Sequence, residues 1–120
     1  MDSRQMGLYG ELVAARYLRR KKYTILETNF HSRYGEIDIV AKQKDTVVFV
    51  EVKTRDISSS SRPMEAVSAS KQQKIKSTAL VYLGSRYDTE VNVRFDVIEV
   101  LAVTTGKKEM KINHIIDAFE

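Results

Sequence analysis

The stretch that decides the fold is residues 35–54, GEIDIVAKQKDTVVFVEVKT. Within it, residues 36–42 and residues 46–54 each alternate between two kinds of side chain, and a short polar connector separates the two runs. Alternation with a period of two is typical of β-strands, because successive side chains point to opposite faces of a sheet. Two such runs joined by a short polar connector predict a β-hairpin.

The burial of apolar side chains predicts the register of this hairpin. Its apolar rows are Ile37, Ile39 and Ala41 in the first run, and Val48, Val50 and Val52 in the second. Directly opposed residues of an antiparallel pair project to the same face, so these two rows should face each other. The same register then places Asp38 opposite Glu51 and Glu36 opposite Lys53 on the other face.

The predicted pair of carboxylates indicates a metal site. Two ionised carboxylates a few ångströms apart repel each other, so Asp38 facing Glu51 is costly unless a cation lies between them or one stays protonated. Oxygen ligands favour hard ions, here Mg²⁺ or Mn²⁺, which retain water and bind phosphate. Lys53 emerges on the same face, where an ammonium group could stabilise charge that develops on a phosphate.

A plainer alternative is an ordinary cross-strand ion pair between Glu36 and Lys53, with the two acids solvated on the wet face of an antiparallel sheet. Against this alternative, the same face also carries Val40, Val47 and Phe49. Apolar neighbours predict a partly buried face, on which unpaired carboxylates would be destabilising.

The first segment, residues 6–22, predicts an amphipathic helix. Its apolar positions have helical spacing and are Leu8, Tyr9, Leu12, Val13, Ala15, Tyr17 and Leu18. Glu11 precedes Ala15 and Leu18 by four and seven residues, so it lies at the border of the stripe. A carboxylate at that position is expected to be partly buried or directed at a ligand.

The remaining patterns predict a strand over residues 23–30, a second helix that opens with Ser70 and stops at Gly84, a strand over residues 90–103 and a last segment over residues 110–119. Pro63 suits a short helical turn that runs to Val67. His31, His114 and Asp96 have no metal-ligand spacing and read as surface or locally paired side chains. Helices interspersed with several strands predict an α/β (α+β) fold in one domain, residues 1–120.

The composition excludes several function classes. The chain has 120 residues, no cysteine and a net charge of +4. Thiolate nucleophiles and Cys-ligated metals are therefore excluded, and the longest apolar run, residues 79–83, is far too short to cross a membrane. We therefore expect a soluble, cytoplasmic protein.

The net charge comes from one end of the chain. Residues 1–22 carry six basic and two acidic side chains, so they contain the entire excess of positive charge. Nucleic acid and anionic membrane surfaces are candidate partners for such a block, and a solvated helix end is the plainer alternative.

The arrangement of Asp38, Glu51 and Lys53 resembles the PD-(D/E)xK phosphodiesterase superfamily, which has the restriction-endonuclease-like fold. Longer strings make the resemblance more specific. Gly-Glu at 10–11, GEIDIV at 35–40, FVEVKTR at 49–55 and residues 71–83 look like the YraN-like family of predicted endonucleases. That family is similar in turn to archaeal Holliday-junction resolvases.

The resemblance implies a mixed sheet of four or five strands flanked by helices. It also implies metal-dependent phosphodiester hydrolysis of DNA, structured or branched, by an endonuclease that works as a homodimer. Asp38, Glu51 and Glu11 would be the metal ligands for Mg²⁺ or Mn²⁺, and Lys53 would complete the catalytic set. The sequence departs from the superfamily pattern at Ile37, where the superfamily name has proline, and neither Gln72 nor Gln73 is followed by the tyrosine of exonuclease-type relatives.

Basic side chains in three parts of the chain are the expected contacts to the nucleic-acid backbone. They are Arg16, Arg19, Arg20, Lys21, Lys22, Arg55, Arg62, Lys71, Lys74 and Lys76, together with the polar Gln72. The rival hypothesis is a non-catalytic nucleic-acid-binding or DNA-repair accessory protein that keeps the nuclease fold.

Overall fold

The computed structural model describes residues 2–56, 66–103 and 109–120. Two helices and five strands follow one another in the order α1 (Ser3–Arg20), β1 (Thr24–Ser32), β2 (Gly35–Gln43), β3 (Thr46–Asp56), α2 (Ala69–Arg86), β4 (Asn92–Val103) and β5 (Glu109–Phe119). The expectation of a mixed sheet flanked by helices is therefore confirmed.

The five strands form one sheet in the order β1-β2-β3-β4-β5. Of the four strand pairs in the described sheet, only β3 with β4 is parallel, and helix α2 lies in the connection between these two strands. A parallel pair needs such a crossover, whereas antiparallel neighbours can be joined by a short turn. Residues 47–50 of β3 are buried on both faces, which explains their uninterrupted apolar run.

The predicted hairpin register is confirmed where β2 and β3 pair. Ile39 lies opposite Val50, Val40 opposite Phe49 and Ala41 opposite Val48. In the described chain this pairing goes no further than Ile39 and Val50, so β2 and β3 separate at the next residue of each strand.

The expected face of Ile37 is wrong. Ile37 packs in the core on the α2 side of the sheet, whereas Ile39 and Ala41 pack in the core on the α1 side. The reversal occurs around Asp38, opposite Asn29 of β1, whose φ of 53° lies in the left-handed region. A strand with regular alternation would keep Ile37 and Ile39 on one face.

Two apolar cores cover the two faces of the sheet. The α1 side contains Ala14, Ala15, Leu18, Tyr23, Ile39, Ala41, Val48, Val50, Ile98 and Val100. The α2 side contains Ile37, Val40, Val47, Phe49, Ile75, Ala79 and Tyr82. Since α2 covers the face that carries Val40 and Phe49, the alternative of a wet sheet face is wrong.

Helix α1 buries only part of the expected stripe, Ala15 and Leu18, with Val13 and Tyr17 packed beside them. Its buried residues are Gly10, Ala14, Ala15 and Leu18, whereas Leu8, Tyr9 and Leu12 are exposed, Leu12 by 68%. Small side chains allow the helix axis to approach the sheet, and a Cβ atom on Gly10 would overlap the Thr54 hydroxyl. The helix thus packs on β3 through its small residues and leaves its larger apolar side chains exposed.

Both ends of α2 differ from the expected ends. Ser68, not Ser70, is the N-cap, and its side chain accepts a hydrogen bond from the Lys71 N–H. Gly84 lies within the helix, which continues to Arg86. Of the turn expected between Pro63 and Val67, the first three residues lie outside the described residues.

Candidate functional site: a carboxylate fork between two strands

The site begins where β2 and β3 separate. The Val52 N–H of β3 donates a hydrogen bond of 2.8 Å to Oδ2 of Asp38. A side-chain oxygen of β2 thus accepts the bond that a backbone carbonyl would accept in a regular β-ladder. The Asp38 carboxyl is thereby held beside Glu51, which follows Val50 on β3. We call the group formed by Asp38, Glu51 and the Val52 N–H the carboxylate fork.

The two acids of the carboxylate fork share a proton near neutral pH. Burial, the neighbouring Asp38 carboxylate and a hydrogen bond to it together raise the pKa of Glu51 to about 7. Burial also raises the pKa of Asp38, although hydrogen bonds from Val52 and Glu51 oppose this shift. Glu51 is therefore the proton donor and Asp38 the acceptor, and the side chain of Glu51 is only 10% exposed.

Two lysines place positive charge at the carboxylate fork. Lys71, in the first turn of α2, has its Nζ 3.7 Å from Oε1 of Glu51. Lys53 lies two residues beyond Glu51 on β3, and its charge lowers the pKa of Glu51. The structure therefore brings the predicted catalytic lysine to the predicted acids, and it adds Lys71 as a direct partner of Glu51.

The expected pairing of Glu36 with Lys53 is wrong. The described β2–β3 pairing ends before it reaches these residues, because the strands diverge at the carboxylate fork. Glu36 instead lies opposite His31 of β1, and its Oε2 is 3.4 Å from Nδ1 of that histidine. Both side chains are largely exposed, so this ion pair contributes little to stability.

Glu11 approaches the carboxylate fork from the opposite side, on helix α1. Burial raises the pKa of Glu11, and so does the negative charge of Asp38, whereas a hydrogen bond with the Asn29 side chain lowers it. Oε1 of Glu11 is buried, and no described residue donates a hydrogen bond to it. The expectation that Glu11 is partly buried is confirmed.

The donor set of the site fits a hard divalent cation. Within the described ranges, no three His, Asp or Glu side chains already form a group that could hold a metal ion. The carboxylate fork supplies two carboxylates, however, and Mg²⁺ is usually bound by one or two carboxylates together with water and phosphate oxygens. A cation bound at the carboxylate fork would favour the ionised form of Glu51, so Asp38 and Glu51 are the candidate ligands. Among the described residues, Glu11 does not form a three-acid group with them.

The basic end of α1 is remote from the carboxylate fork. Arg16, Arg19, Arg20, Lys21 and Lys22 are all exposed. Arg20 is nine residues beyond Glu11, which is about 14 Å along a helix axis. The structure therefore does not bring the net positive charge of the chain into direct contact with the acids.

The other predicted nucleic-acid contacts have three different environments. Lys71 and the exposed Lys74 lie in the first turns of α2, where Lys71 reaches the carboxylate fork, and Lys76 follows, half-buried. The Arg55 Nε is 3.3 Å from Oε2 of the buried Glu99, and the Gln72 amide donates to the Val67 carbonyl, so both side chains already have partners within the protein. Arg62 lies outside the described residues.

Comparison with known proteins defines the family. The model of "Uncharacterised protein family UPF0102" matches residues 10–100, a range that contains the carboxylate fork, Glu11 and Lys53. The chain belongs to the UPF0102 family. This assignment confirms the YraN-like family that the sequence motifs indicate.

Relatives align with the UPF0102 chain over almost its whole length. A UPF0102 protein of Syntrophomonas wolfei is 50% identical over 98% of this chain and 99% of its own length. The corresponding protein of Caldanaerobacter subterraneus is 44% identical, over 99% of this chain and 98% of the relative. A Clostridioides difficile relative is 42% identical over 99% of this chain and its own full length.

A buried polar cluster of the UPF0102 chain was not predicted. Asp96 on β4 is fully buried and accepts hydrogen bonds from Arg94, from Nε2 of His114 on β5 and from the Asp117 N–H. Nδ1 of His114 lies 3.0 Å from the Tyr17 hydroxyl on α1. Burial alone would raise the pKa of Asp96, but the hydrogen bonds from His114 and Arg94 hold it below the usual value.

The sequence contains only a weak signal for this cluster, because Arg94 and Asp96 are close in the chain whereas His114 and Tyr17 are distant. The expectation that Asp96 pairs locally and that His114 is a satisfied histidine is confirmed. Neither helix in the described part of the UPF0102 chain combines the length and the apolar character that a membrane span needs.

Proposed function

We propose that this UPF0102 protein is a metal-dependent nuclease of the PD-(D/E)xK superfamily that hydrolyses phosphodiester bonds in DNA. The observation that carries the proposal is the carboxylate fork: two buried acids whose pKa values are both raised, with Lys53 and Lys71 beside them and with Glu11 close enough for the charge of Asp38 to raise its pKa. Raised carboxylate pKa values and an unsatisfied buried oxygen are costly for stability, and such groups cluster at functional sites.

Asp38, Glu51 and Glu11 would hold Mg²⁺ or Mn²⁺. When bound, such an ion lowers the pKa of water and withdraws charge from the phosphoryl oxygens. As a ligand, Glu51 would be in its ionised form, because a carboxylate binds a cation through its charged oxygens. The Val52 N–H keeps Asp38 in position throughout.

Lys53 would act on the phosphate itself. Its ammonium group emerges on the face that carries Glu51, and the charge on a phosphoryl group increases as the attacking oxygen bonds to phosphorus. A positive group held in place by the strand stabilises that charge without having to reorganise. Lys71, which already contacts Glu51, would bind a non-bridging oxygen or the neighbouring phosphate.

Structured or branched DNA is the proposed substrate class, and the cytoplasm the proposed location. The exposed basic end of α1 would bind backbone phosphates away from the cleaved bond, since it lies about 14 Å from Glu11 along the helix. Cleavage of two strands of a junction would require two copies of the chain, so a homodimer is part of the proposal.

The deciding experiment is a cleavage screen with Mg²⁺ and with Mn²⁺ over single-stranded, duplex, flap and four-way DNA. We expect cleavage that chelator abolishes and that Asp38→Ala, Glu51→Ala and Lys53→Ala each reduce by at least about a hundredfold, the scale of one lost electrostatic contact to a transition state. Lys42→Ala is the matched control, because Lys42 is exposed at the far end of β2.

Equal cleavage by the wild type and Lys53→Ala would contradict the mechanism. DNA binding without cleavage, insensitive both to chelator and to Lys53→Ala, would instead support the rival function of a non-catalytic DNA-binding or repair accessory protein.

A further inference from the structure

The turn between β1 and β2 presents two large side chains to solvent. Strand β1 ends at Ser32 and β2 begins at Gly35, so Arg33 and Tyr34 form the whole turn. Both side chains are exposed, that of Tyr34 by 43%. Two-residue hairpin turns favour glycine, asparagine and aspartate, so the needs of the turn do not account for an arginine followed by a tyrosine. We call Arg33 and Tyr34 the turn pair.

The two side chains of the turn pair are held against each other. The Arg33 guanidinium lies 4.9 Å from the centroid of the Tyr34 ring, and its Nη2 donates a hydrogen bond of 2.6 Å to the Tyr34 hydroxyl. A guanidinium at this distance is attracted to the face of an aromatic ring. The turn pair therefore presents an aromatic surface and a positive charge side by side.

The turn is fastened to helix α2. Ser32 Oγ accepts a hydrogen bond of 3.0 Å from the Tyr34 N–H and lies 2.9 Å from Oγ1 of Thr78, a fully buried residue of α2. A Cβ atom added to Gly35 would lie 3.3 Å from Cβ of Lys74, so glycine allows the turn to lie against the helix. Connecting loops are usually mobile, whereas these contacts hold the turn pair in place before any ligand binds.

Basic side chains lead from the carboxylate fork to the turn pair. Lys71 of α2 contacts Glu51 of the fork, and Lys74, three residues later on the same helix, lies beside Gly35. Residues three apart on a helix have Cβ atoms about 5–6 Å apart. Along β2, Gly35 precedes Asp38 by three residues, or about 10 Å, which is the length of about three stacked nucleotides. A strand of DNA cleaved at the fork could therefore reach the turn pair.

An acid beside the turn pair bears on what the turn can bind. Glu36 follows Tyr34 by two residues, and its Oε2 lies 3.4 Å from Nδ1 of His31. A negative charge at this place disfavours a second phosphate close to the strand. The ring of Tyr34 suits the uncharged base of a nucleotide instead, and Arg33 suits the phosphate of the same nucleotide.

We propose that the turn pair binds an unpaired nucleotide of the DNA substrate next to the cleaved bond, with the Tyr34 ring stacked on the base and the Arg33 guanidinium on a backbone phosphate. Every base has a flat face, so stacking on a ring needs no particular base sequence. A base inside a duplex is already stacked on its neighbours and is reached only after it is extruded. The inference rests on the proposed function and specifies which feature of structured DNA the same site takes.

The test measures DNA affinity by fluorescence anisotropy with EDTA present, so that neither cleavage nor a bound cation affects the result. The probes are a fluorescein-labelled oligothymidylate and a labelled blunt duplex. We expect Tyr34→Ala to bind the single strand about tenfold more weakly, within the usual cost of losing one aromatic stack, and to bind the duplex as the wild type does. Tyr34→Phe keeps the ring and should bind the single strand nearly as tightly as the wild type.

Tyr9→Ala is the matched control for Tyr34→Ala. Tyr9 lies on α1, away from the turn, and is 44% exposed, almost the same as Tyr34. Its replacement should leave the affinity for both probes unchanged. Arg33→Ala should reduce the slope of log affinity against log salt for the single strand by about 0.7, the value of one lost phosphate contact.

A second measurement detects the stacked base directly. The chain has no tryptophan, so Tyr34→Trp places a single indole in the turn and Tyr9→Trp places one on α1. Saturating oligothymidylate should quench the tryptophan fluorescence of Tyr34→Trp, because a base lies against the ring, and should leave that of Tyr9→Trp unchanged. A Tyr34→Trp protein that binds the single strand without quenching would overturn the inference.

The outcomes separate this inference from the proposed function. If the wild type cleaves DNA but Tyr34→Ala binds the single strand as tightly as the wild type, or loses equal affinity for both probes, the role of the turn pair is wrong and the nuclease proposal stands. If the single strand binds through Tyr34 but no DNA is cleaved with Mg²⁺ or Mn²⁺, the nuclease proposal is wrong and the turn pair keeps its role within the rival DNA-binding function. If the wild type binds neither probe, both are wrong.

Discussion

Glu51 is the residue whose chemistry depends most on its surroundings. It has the side chain of an ordinary acid, yet burial and the nearby Asp38 raise its pKa to about 7, despite Lys71 and Lys53. A folded-state pKa above the unfolded value means that the folded protein binds more protons between pH 4.5 and pH 7. Stability is therefore lost as the pH rises through that window.

The free energy of unfolding of the metal-free protein should fall between pH 5 and pH 8, because the ionised form of Glu51 is disfavoured in the folded state. Glu51→Gln should flatten this dependence and stabilise the protein at pH 8 by up to about 3 kcal/mol. Urea unfolding at several pH values measures both effects.

Glu36→Gln is the control for this prediction, because it removes an acid of β2 that is exposed and paired with His31. The free energy of unfolding of Glu36→Gln should depend on pH in the same way as that of the wild type. A Glu51→Gln protein that is no more stable than the wild type at pH 8 would contradict the assignment of the shared proton.

At the scale of the elements, the packing of α1 against β3 places Glu11. Gly10 allows this packing, since an added Cβ atom would lie 2.9 Å from Cβ of Thr54 and would overlap its hydroxyl. No described atom lies within 4 Å of a Cβ added to Gly7, three residues earlier on the same helix. The two glycines therefore form a matched pair, one of them in contact with the sheet and the other free of it.

Gly10→Ala should destabilise the protein by about 1–3 kcal/mol, the usual cost of inserting a methyl group into a packed contact. Gly7→Ala should instead stabilise it by about 0.5–1 kcal/mol, because alanine is the better helix former. Thermal or urea unfolding of both variants checks the opposite signs, and equal effects of the two substitutions would show that α1 does not approach β3 as described.

The elements also show how far a sequence can predict this fold. The β2–β3 register could be predicted, because only one register places the valine rows against the apolar row of β2. The buried face of α1 could not, because hydrophobicity favours Leu8 and Leu12, whereas close packing on β3 selects Gly10 and Ala14.

The candidate site likewise has a part that local sequence patterns predict and a part that only the folded structure brings together. Asp38, Glu51 and Lys53 were predictable from the hairpin alone, whereas Lys71 contacts Glu51 through helix packing that no local pattern encodes. The face of Ile37 was missed because the regular alternation of β2 breaks at Asp38, level with the positive-φ residue Asn29 of the neighbouring strand.

Across the whole molecule, charge is divided between two places. The carboxylate fork lies where β2 and β3 separate, and the net positive charge lies at the C-terminal end of α1, about 14 Å from Glu11 along the helix. The two places should therefore contribute separately, one to the chemical step and the other to DNA affinity.

Replacement of Arg19, Arg20, Lys21 and Lys22 by glutamine should weaken DNA binding and reduce the slope of log affinity against log salt by up to about 4, one for each lost phosphate contact. The single-turnover cleavage rate at saturating DNA should stay the same, whereas Lys53→Ala should reduce that rate and leave the slope nearly unchanged. A lower single-turnover rate in the fourfold variant would contradict the separation.

The bond between Tyr17 and His114 joins the first element of the chain to the last one. A chain is synthesised from its N-terminus, so Glu11, Asp38 and Glu51 leave the ribosome well before His114 does. During that interval α1 lacks its hydrogen bond to β5, and the buried Asp96 lacks two of its three partner groups, the His114 ring and the Asp117 N–H. A nascent protein therefore contains every acid of the site before the hydrogen bond that links α1 to β5 can form.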